Sequence, residues 1–448
     1  MTTSTPLDHL HAAVSGIVTT PADAGYDAAR AAWNLAADQR PAAVVHAAGT
    51  ADLVATVRAA AALGLRVAPQ ATGHGAACLG PLDDAILLRT DDLRGVAVDL
   101  DAQTVRVQAG AQWADVVAAS APHGLAPLAG SAGDVGVVGF HLGGGLSFLS
   151  RLHGVAARHL VGGTVVLADG TLHTVDADSP ELLWALRGGG GTAVVAELEF
   201  ALHRVPELST GQLFWPIERA GEVLRAWRDW AEKAPREITT SARFLRFPAD
   251  PAVPEPLRGG AFFVVDGAFA GEAAEAEAAL APLRALTPAI DLFGPAEITS
   301  LVELHMDPPA PVPAASAHTL LRELPDDLIE RLDALAGVES GSALVAVELR
   351  QLGGALATGD PEHGAIDGID APFLLFAVGL AGGPVPLEVT EPQLRAVLGA
   401  AAPYGAGTFP NFAEGPGADA PRPAAVAGRL ARLRGEHDPD GLLIAAHA

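Results

Sequence analysis

The chain has 448 residues, 50% of them apolar, 18% charged and 5% aromatic, with 50 Gly and 34 Pro. At roughly 150 residues per domain this length holds two or three domains, and the apolar content excludes a disordered or collagen-like polypeptide. The net charge is 28 − 53 = −25, with Lys233 the single lysine, and a surface this acidic repels phosphate backbones and anionic lipid, so neither nucleic acid nor a membrane is an expected partner.

The opening MTTSTPLDHLHAAVSG has neither the basic nor the apolar part of a signal peptide. PAAVVHAA (41–48) reads as a strand, and Thr50 stands as the N-cap of a helix that places Leu53, Val54, Val57 and Ala61 on one face. LRVAPQ (65–70) is the next strand, making residues 41–70 a βαβ-like unit. Strands follow at AILLR (85–89), GVAVDL (95–100) and TVRVQAG (104–110), then a helix near 112–122. VVLADGTLHTV (165–175) is a hairpin turned by Asp169-Gly170, and 191–205 is again strand-rich.

Past about residue 206 the character changes. A tryptophan-bearing helix, EVLRAWRDWAEKA, and Pro-rich joints at 248–256 and 307–313 separate strands at 261–269, 342–354 and 372–380, as in a separate α+β domain. The last of these sits in the most apolar run, APFLLFAVGLAGGPVPL, which Gly and Pro break short of the ~18 residues a membrane helix needs. One cysteine, Cys78, excludes a disulfide framework and a multi-cysteine zinc site, and a cytoplasmic location is expected.

Three segments concentrate glycine: ATGHGAACLG (71–80), GSAGDVGVVGFHLGGGLSF (130–148) and RGGGG (187–191). Such loops let a backbone approach a ligand and aim its N–H groups at an anion, and with one lysine a diphosphate must rely largely on them. Each alone is a tight turn; three together point to a dinucleotide. No GxxxxGK[ST] string exists. The nearest GxGxxG, GGGGTA (188–193), follows a helix and lacks its last glycine, which disfavours a Rossmann NAD site.

PAAVVHAAGTADLVATVRAAAALGLRVAPQATGHGA, GSAGDVGVVGFHLGGGLSFLSRLHG and ELLWALRGGGG, in that order, resemble the FAD domain of the vanillyl-alcohol oxidase/p-cresol methylhydroxylase superfamily, within it the berberine bridge enzyme-like branch of FAD-linked oxidases. FPNFAEG (409–415) and LARLRGEHDPDGLLIAAHA (430–448) resemble that branch's closing motif and terminal arm. The resemblance implies an α+β protein: a two-part FAD-binding domain (1–205, completed by a C-terminal return over 405–448) and a substrate domain (206–404) with a mainly antiparallel sheet. It also implies that FAD is bound covalently through His74. Gln70, Ala71, Thr72, Gly73, Gly75, Ser131, Val135, Gly136, Gly139, Leu142, Gly143, Gly144, Val194 and Asn411 would contact it.

Departures from the family pattern carry expectations of their own. Ala132 stands where relatives place a second flavin-bonding cysteine, so the link is single, and Cys78 reads as an inert core thiol. Val135 holds the place of the oxygen gatekeeper and, being small, resembles oxygen-reactive members. Phe409 replaces a tyrosine base, Arg158-His159 replaces Asp-Asn near the flavin, and His153 replaces a tyrosine of the pocket. His141, His153 and His159 are spaced unlike metal ligands, and no metal is expected.

In VAVELRQLGG (345–354), Val345, Val347 and Leu349 share one strand face and Glu348 and Arg350 the other. The resemblance makes Glu348 the general base with Arg350 beside it; a solvent-facing ion pair is the competing reading. The expected function is an FAD-dependent oxidase that takes a hydride from a C–H or C–OH carbon of a small, secondary-metabolite-like molecule and reduces O2, as monomer or homodimer. A flavin oxygenase and a non-catalytic flavin-binding protein are the alternatives.

Overall fold

The computed structural model describes residues 6–251, 253–308, 310–415 and 420–446. The first residues of the opening stretch, one residue of each Pro-rich joint and the last two of the terminal arm lie outside them.

The parallel unit read from residues 41–70 forms. Strands Ala43–His46 and Arg66–Gln70 both run parallel to Ala85–Arg89, which lies between them, and Ile17–Thr19 adds an antiparallel edge. The crossover helix Thr50–Leu63 starts one residue earlier than the cap reading: Gly49, in extended backbone, is the N-cap and Thr50 the first helical residue. Asp52 on that first turn instead accepts from the backbone N–H groups of Ser15 (2.7 Å), Gly16 (2.9 Å) and Ala48 (2.8 Å), tying the edge strand to the helix start. Gly64 closes the helix in the left-handed region at φ 66°, and the Leu65 N–H returns to Ala60 O. Leu53, Val57 and Ala60 are fully buried against Val45, Val67, Ile86 and Leu88.

A second, antiparallel sheet runs in the order Val96–Asp99, Thr104–Gln108, Val194–Ala201, Leu160–Val166, Leu172–Val175. Its last pair is the expected hairpin, with Gly170 at φ 77° in the turn. Trp113 and Phe140 pack edge-on at 5.1 Å beneath this sheet.

The rest of the chain is dominated by one large antiparallel sheet. Its central strands are Leu208–Pro216, Ala261–Ala270, Ile238–Arg246, Leu344–Gln351, Phe373–Leu380 and Ala314–Leu321, with Gly405–Gly407 at one edge. The helices Ala220–Ala231, Ala273–Arg284, Asp326–Ala336 and Leu387–Ala401 cover one face, where Trp215, Trp227, Leu328 and Leu332 are fully buried. At about 1.5–3 kcal/mol for each large side chain removed from water, this layer fixes the sheet. The opposite face turns toward the first half of the chain.

The terminal arm closes the first half. After the helix Ala424–His437 the chain lies alongside Arg66–Gln70, with Val67 N–H donating to Leu442 O and Ile444 N–H to Val67 O, both at 2.8 Å.

Candidate active site

Between the two halves lies a cavity of about 530 Å³. One wall comes from the carboxyl end of the parallel strands, where ligands of open α/β sheets collect. Gln70 ends the strand Arg66–Gln70 and Gly73 turns the chain at φ 85°; a Cβ at Gly73 would sit 2.8 Å from that of Ala32. This tight turn presents His74 to the cavity. The His74 ring stacks on Trp33 (centroids 4.2 Å apart, planes 17° apart), its Nδ1 lies 2.8 Å from Thr72 Oγ1, and its Nε2 lies 3.4 Å from Asp134 Oδ1. Trp33 Nε1 donates to Asp134 Oδ2 at 2.6 Å. Burial would raise the Asp134 carboxyl, but His74 and Trp33 hold it below the ordinary carboxylate range.

The facing wall is the large sheet. Arg243 pairs across strands with Glu348, and Asp266 and Arg350 occupy neighbouring positions on the same face. Arg243 donates to Asp266 Oδ2, and Arg350 Nε donates to Glu348 Oε1. His305, from the loop after Ile298–Val302, is inserted among them, with Nδ1 2.9 Å from Asp266 Oδ2 and Nε2 2.7 Å from Arg350 Nη2. Arg243, Asp266, His305 and Glu348 are each at most 5% exposed, which removes the solvent-facing reading of Glu348. Burial pushes the Glu348 carboxyl up, but Arg350, His305 and Arg243 outweigh it and hold it far below its ordinary value.

Residues 41–176 match a family model described as an FAD binding domain. Glucooligosaccharide oxidase of Sarocladium strictum is 35% identical over 224 residues, 48% of this chain and 45% of that protein. (R)-6-hydroxynicotine oxidase of Paenarthrobacter nicotinovorans is 31% identical over 205 residues, 45% of each. These matches span about half of the chain and less than half of either relative. Over nearly the full length, the fold superposes on 6-hydroxy-D-nicotine oxidase from Arthrobacter nicotinovorans (TM-score 0.82, 23% identity, 96% of each chain). It also superposes on BBE-like 1 of Physcomitrella patens (TM-score 0.84, 19% identity, 98% of this chain and 97% of that one).

Residues 41–176 thus carry an FAD-binding domain, and the whole chain shares the fold of these solved proteins. Its cofactor is FAD, and the cavity wall fits one. Both amide atoms of Gln70 are buried without a partner, as are all three guanidinium nitrogens of Arg422, which lines the cavity beside Gly190 and Gly191. Burial lowers the Arg422 guanidinium to about 10, and the neighbouring Arg434 adds to it. Buried cationic donors without a carboxylate suit a diphosphate.

Of the residues the resemblance assigned to FAD, Gln70, Ala71, Thr72, Gly73, His74, Gly75, Ser131, Val135, Gly136, Gly139, Leu142, Gly143 and Asn411 line the cavity. Two do not. Val194 points into the core between the first two sheets, because side chains alternate along its strand, and Ala193 and Val195 face the cavity instead. Gly144 lies against the Phe409 ring, which a Cβ there would meet at 2.8 Å.

Asn411 acts on the loop as well as facing the cavity. Its Oδ1 accepts from Gly145 N–H at 2.8 Å and its Nδ2 donates to Phe140 O at 3.1 Å. Cys78 is a cavity-wall thiol rather than a core one; burial pushes it up to about 11, which keeps it protonated and unreactive. Val345, expected on the core face, lines the cavity because a register shift between Leu344 and Ala346 moves it across, and Leu344 takes the core place.

Arg158 leaves the cavity altogether and pairs with Asp367 (Nε–Oδ1 2.9 Å). His153 is likewise away from it, stacked on His203 at 3.9 Å. Among the described residues no His, Cys, Asp and Glu group is placed to hold a metal ion.

Arg243, Asp266, His305, Arg422, Trp33 and Asp134 were not singled out from the sequence. For two of them a signal existed. SARFL and VVDGA each carry one charge inside an apolar strand, and a charge in that setting is either paired or functional. For His305 and Arg422, in irregular segments, there was none.

Proposed function

We propose that the protein is an FAD-dependent oxidase that removes a hydride and a proton from a small molecule and passes the electrons to O2. The observation that carries this reading is a single cavity with a flavin-type wall on one side and a buried charged cluster on the other. Bound FAD supplies the hydride acceptor and the route to O2. The protein's part is to hold the cofactor, exclude water and take the proton.

The 71–75 and 130–145 loops, Gln70 and Arg422 would hold the diphosphate and ribityl chain, and Asn411 keeps the second loop in shape. His74 is proposed to bond the flavin covalently, as the only such link, since Ala132 offers no thiol. The Asp134 carboxylate beside Nε2 favours the proton there and leaves the lone pair on Nδ1, next to the Thr72 hydroxyl. Val135, small and on the cavity wall, is consistent with access for O2.

On the substrate side Glu348 and Arg350 line the cavity as part of the charged cluster. The walls around them, Leu245, Val345, Phe376 and Val378, are apolar.

Purified protein mixed anaerobically with candidate alcohols and amines tests the reading. Bleaching of the flavin followed by recovery in air with peroxide in equal amount is the expected result. Flavin that no candidate bleaches, or recovery without peroxide, would count against an oxidase.

A further inference from the structure

We propose that His305, oriented by Asp266, is the group that takes the substrate's proton, while Glu348 and Arg350 serve it electrostatically. The inference rests on the oxidase reading and names its base.

The argument begins with Arg350. A guanidinium has only donors, so Arg350 Nη2 at 2.7 Å from His305 Nε2 requires a lone pair on that nitrogen. The ring proton then sits on Nδ1 and is donated to Asp266 Oδ2 at 2.9 Å. Asp266 is fully buried and is itself held by Arg243, so the ring cannot turn without stranding a carboxylate. Phe148 packs edge-on against the ring at 5.3 Å, and Arg243 Nη1 holds the His305 carbonyl at 3.1 Å. His305 lines the cavity and Asp266 stands behind it. Neutral imidazole, fixed tautomer and a rear carboxylate are the arrangement a general base needs.

The charge count points the same way. With His305 neutral, Arg243 and Arg350 balance Asp266 and Glu348. When Nε2 gains a proton, Glu348 Oε2 stands 3.3 Å away to receive it as a partner, and Asp266 remains on Nδ1. The four charged groups facing the ring come from all three strands packed on it: Arg243, Asp266, and the Glu348–Arg350 pair. Burial alone would lower the His305 imidazole, but Asp266 and Glu348 outweigh burial and the two arginines and raise it. Glu348 is the weaker base, because Arg350, His305 and Arg243 hold its carboxyl far below its ordinary value.

In the step itself, Arg350 Nη2 gives up its hydrogen bond to His305 Nε2. The O–H or N–H bond of the heteroatom on the reacting carbon breaks, and its proton goes to the lone pair so exposed. The freed pair forms the C=O or C=N bond, and the C–H pair leaves as hydride to oxidised flavin.

Two measurements on the FAD-loaded protein test this. The first is NMR of ring-labelled histidine through a pH titration, with His305→Gln identifying the signal. The expected spectrum shows a proton on Nδ1 and a bare Nε2 at high pH, a midpoint above the ordinary histidine value, and a lower midpoint in Asp266→Asn. A proton on Nε2, a ring charged throughout, or an Asp266→Asn variant with no shift would overturn the proposal.

The second is anaerobic flavin reduction by glucooligosaccharide, xylobiose and 6-hydroxy-D-nicotine as probes. His305→Gln should slow whichever reaction the wild type shows by about 10²–10⁴-fold, with FAD content unchanged. Asp266→Asn should move the acidic limb of the rate profile to lower pH, which loss of packing alone would not do. A His305→Gln variant reduced at the wild-type rate refutes the inference and leaves the oxidase reading standing. Wild-type flavin that no probe bleaches weakens the oxidase reading, and the NMR result alone then decides for or against the oriented His305.

Discussion

Trp33 lies flat on the imidazole of His74 and donates through Nε1 to the carboxylate that faces the same ring, Asp134. One tryptophan thus fixes both the plane of the histidine and the group at its far nitrogen. Acid precipitation of the wild type should leave the yellow colour in the pellet. Asp134→Asn should move most of the flavin to the supernatant, because the carboxylate that favours the reactive tautomer is gone. His74→Ala should release all of it.

Arg422 presents a crossing test. In a His74→Ala background, Arg422→Gln should weaken FAD binding about 10–100-fold, the effect of losing hydrogen bonds worth ~1.5–3 kcal/mol between a charged donor and its acceptor. The FAD-free form should melt higher than its Arg422 parent, since a buried cation without a partner is costly. Flavin fluorescence titration and thermal melts with and without FAD read the two signs.

Arg158 and Asp367 join the two halves, with Arg158 also donating to Thr358 O at 2.7 Å. Asp367→Ala leaves a largely enclosed guanidinium without its carboxylate, for which a loss of about 3 kcal/mol is expected. Thermal melting should fall by several degrees. Removing both, as Arg158→Met with Asp367→Ala, should recover part of it.

Three histidines bury neutral rings: His141 and His153 are pushed down to about 4, and His203 to about 3, in each case chiefly by burial. The unfolded chain protonates them near 6.5 and the folded chain does not, so folding binds fewer protons between these values. Stability is therefore complete above about pH 6.5 and is lost as pH falls toward 4. For the fully enclosed His141 the slope approaches about 1.4 kcal/mol per pH unit. Urea unfolding at pH 7 and pH 5 should show this, and His141→Phe should reduce the difference.

What the sequence disclosed follows from what local pattern encodes. Apolar runs and glycine loops marked the strands Ala43–His46, Arg66–Gln70 and Ala85–Arg89 and the loop after Gln70, because these depend on neighbours in the chain. The alternation of Glu348 and Arg350 against Val347 and Leu349 was equally local. The bulge that sends Val345 to the cavity depends on pairing with Phe373–Leu380 and was not visible. Neither was the meeting of Arg243, Asp266, His305 and Glu348, whose proximity is made by strand order and a loop rather than by spacing. Strands Leu208–Pro216 and Ile238–Arg246 lack a clear strand signal because Gly, Pro, Ser and Thr interrupt their apolar pattern, although the sheet buries them well.

The two hydrogen bonds between Val67 and residues 442 and 444 have a consequence for synthesis. Val67 belongs to the strand that leads directly into Gln70 and His74, yet its outer neighbour is made almost a full chain length later. During translation that strand waits with an open edge while the entire large sheet is produced and collapses. Such long-range closure is slow and leaves an unpaired edge exposed in the meantime. The nascent protein would therefore acquire its cofactor late, after residues 442–444 have emerged, and the flavin would enter a chain whose large sheet is already in place.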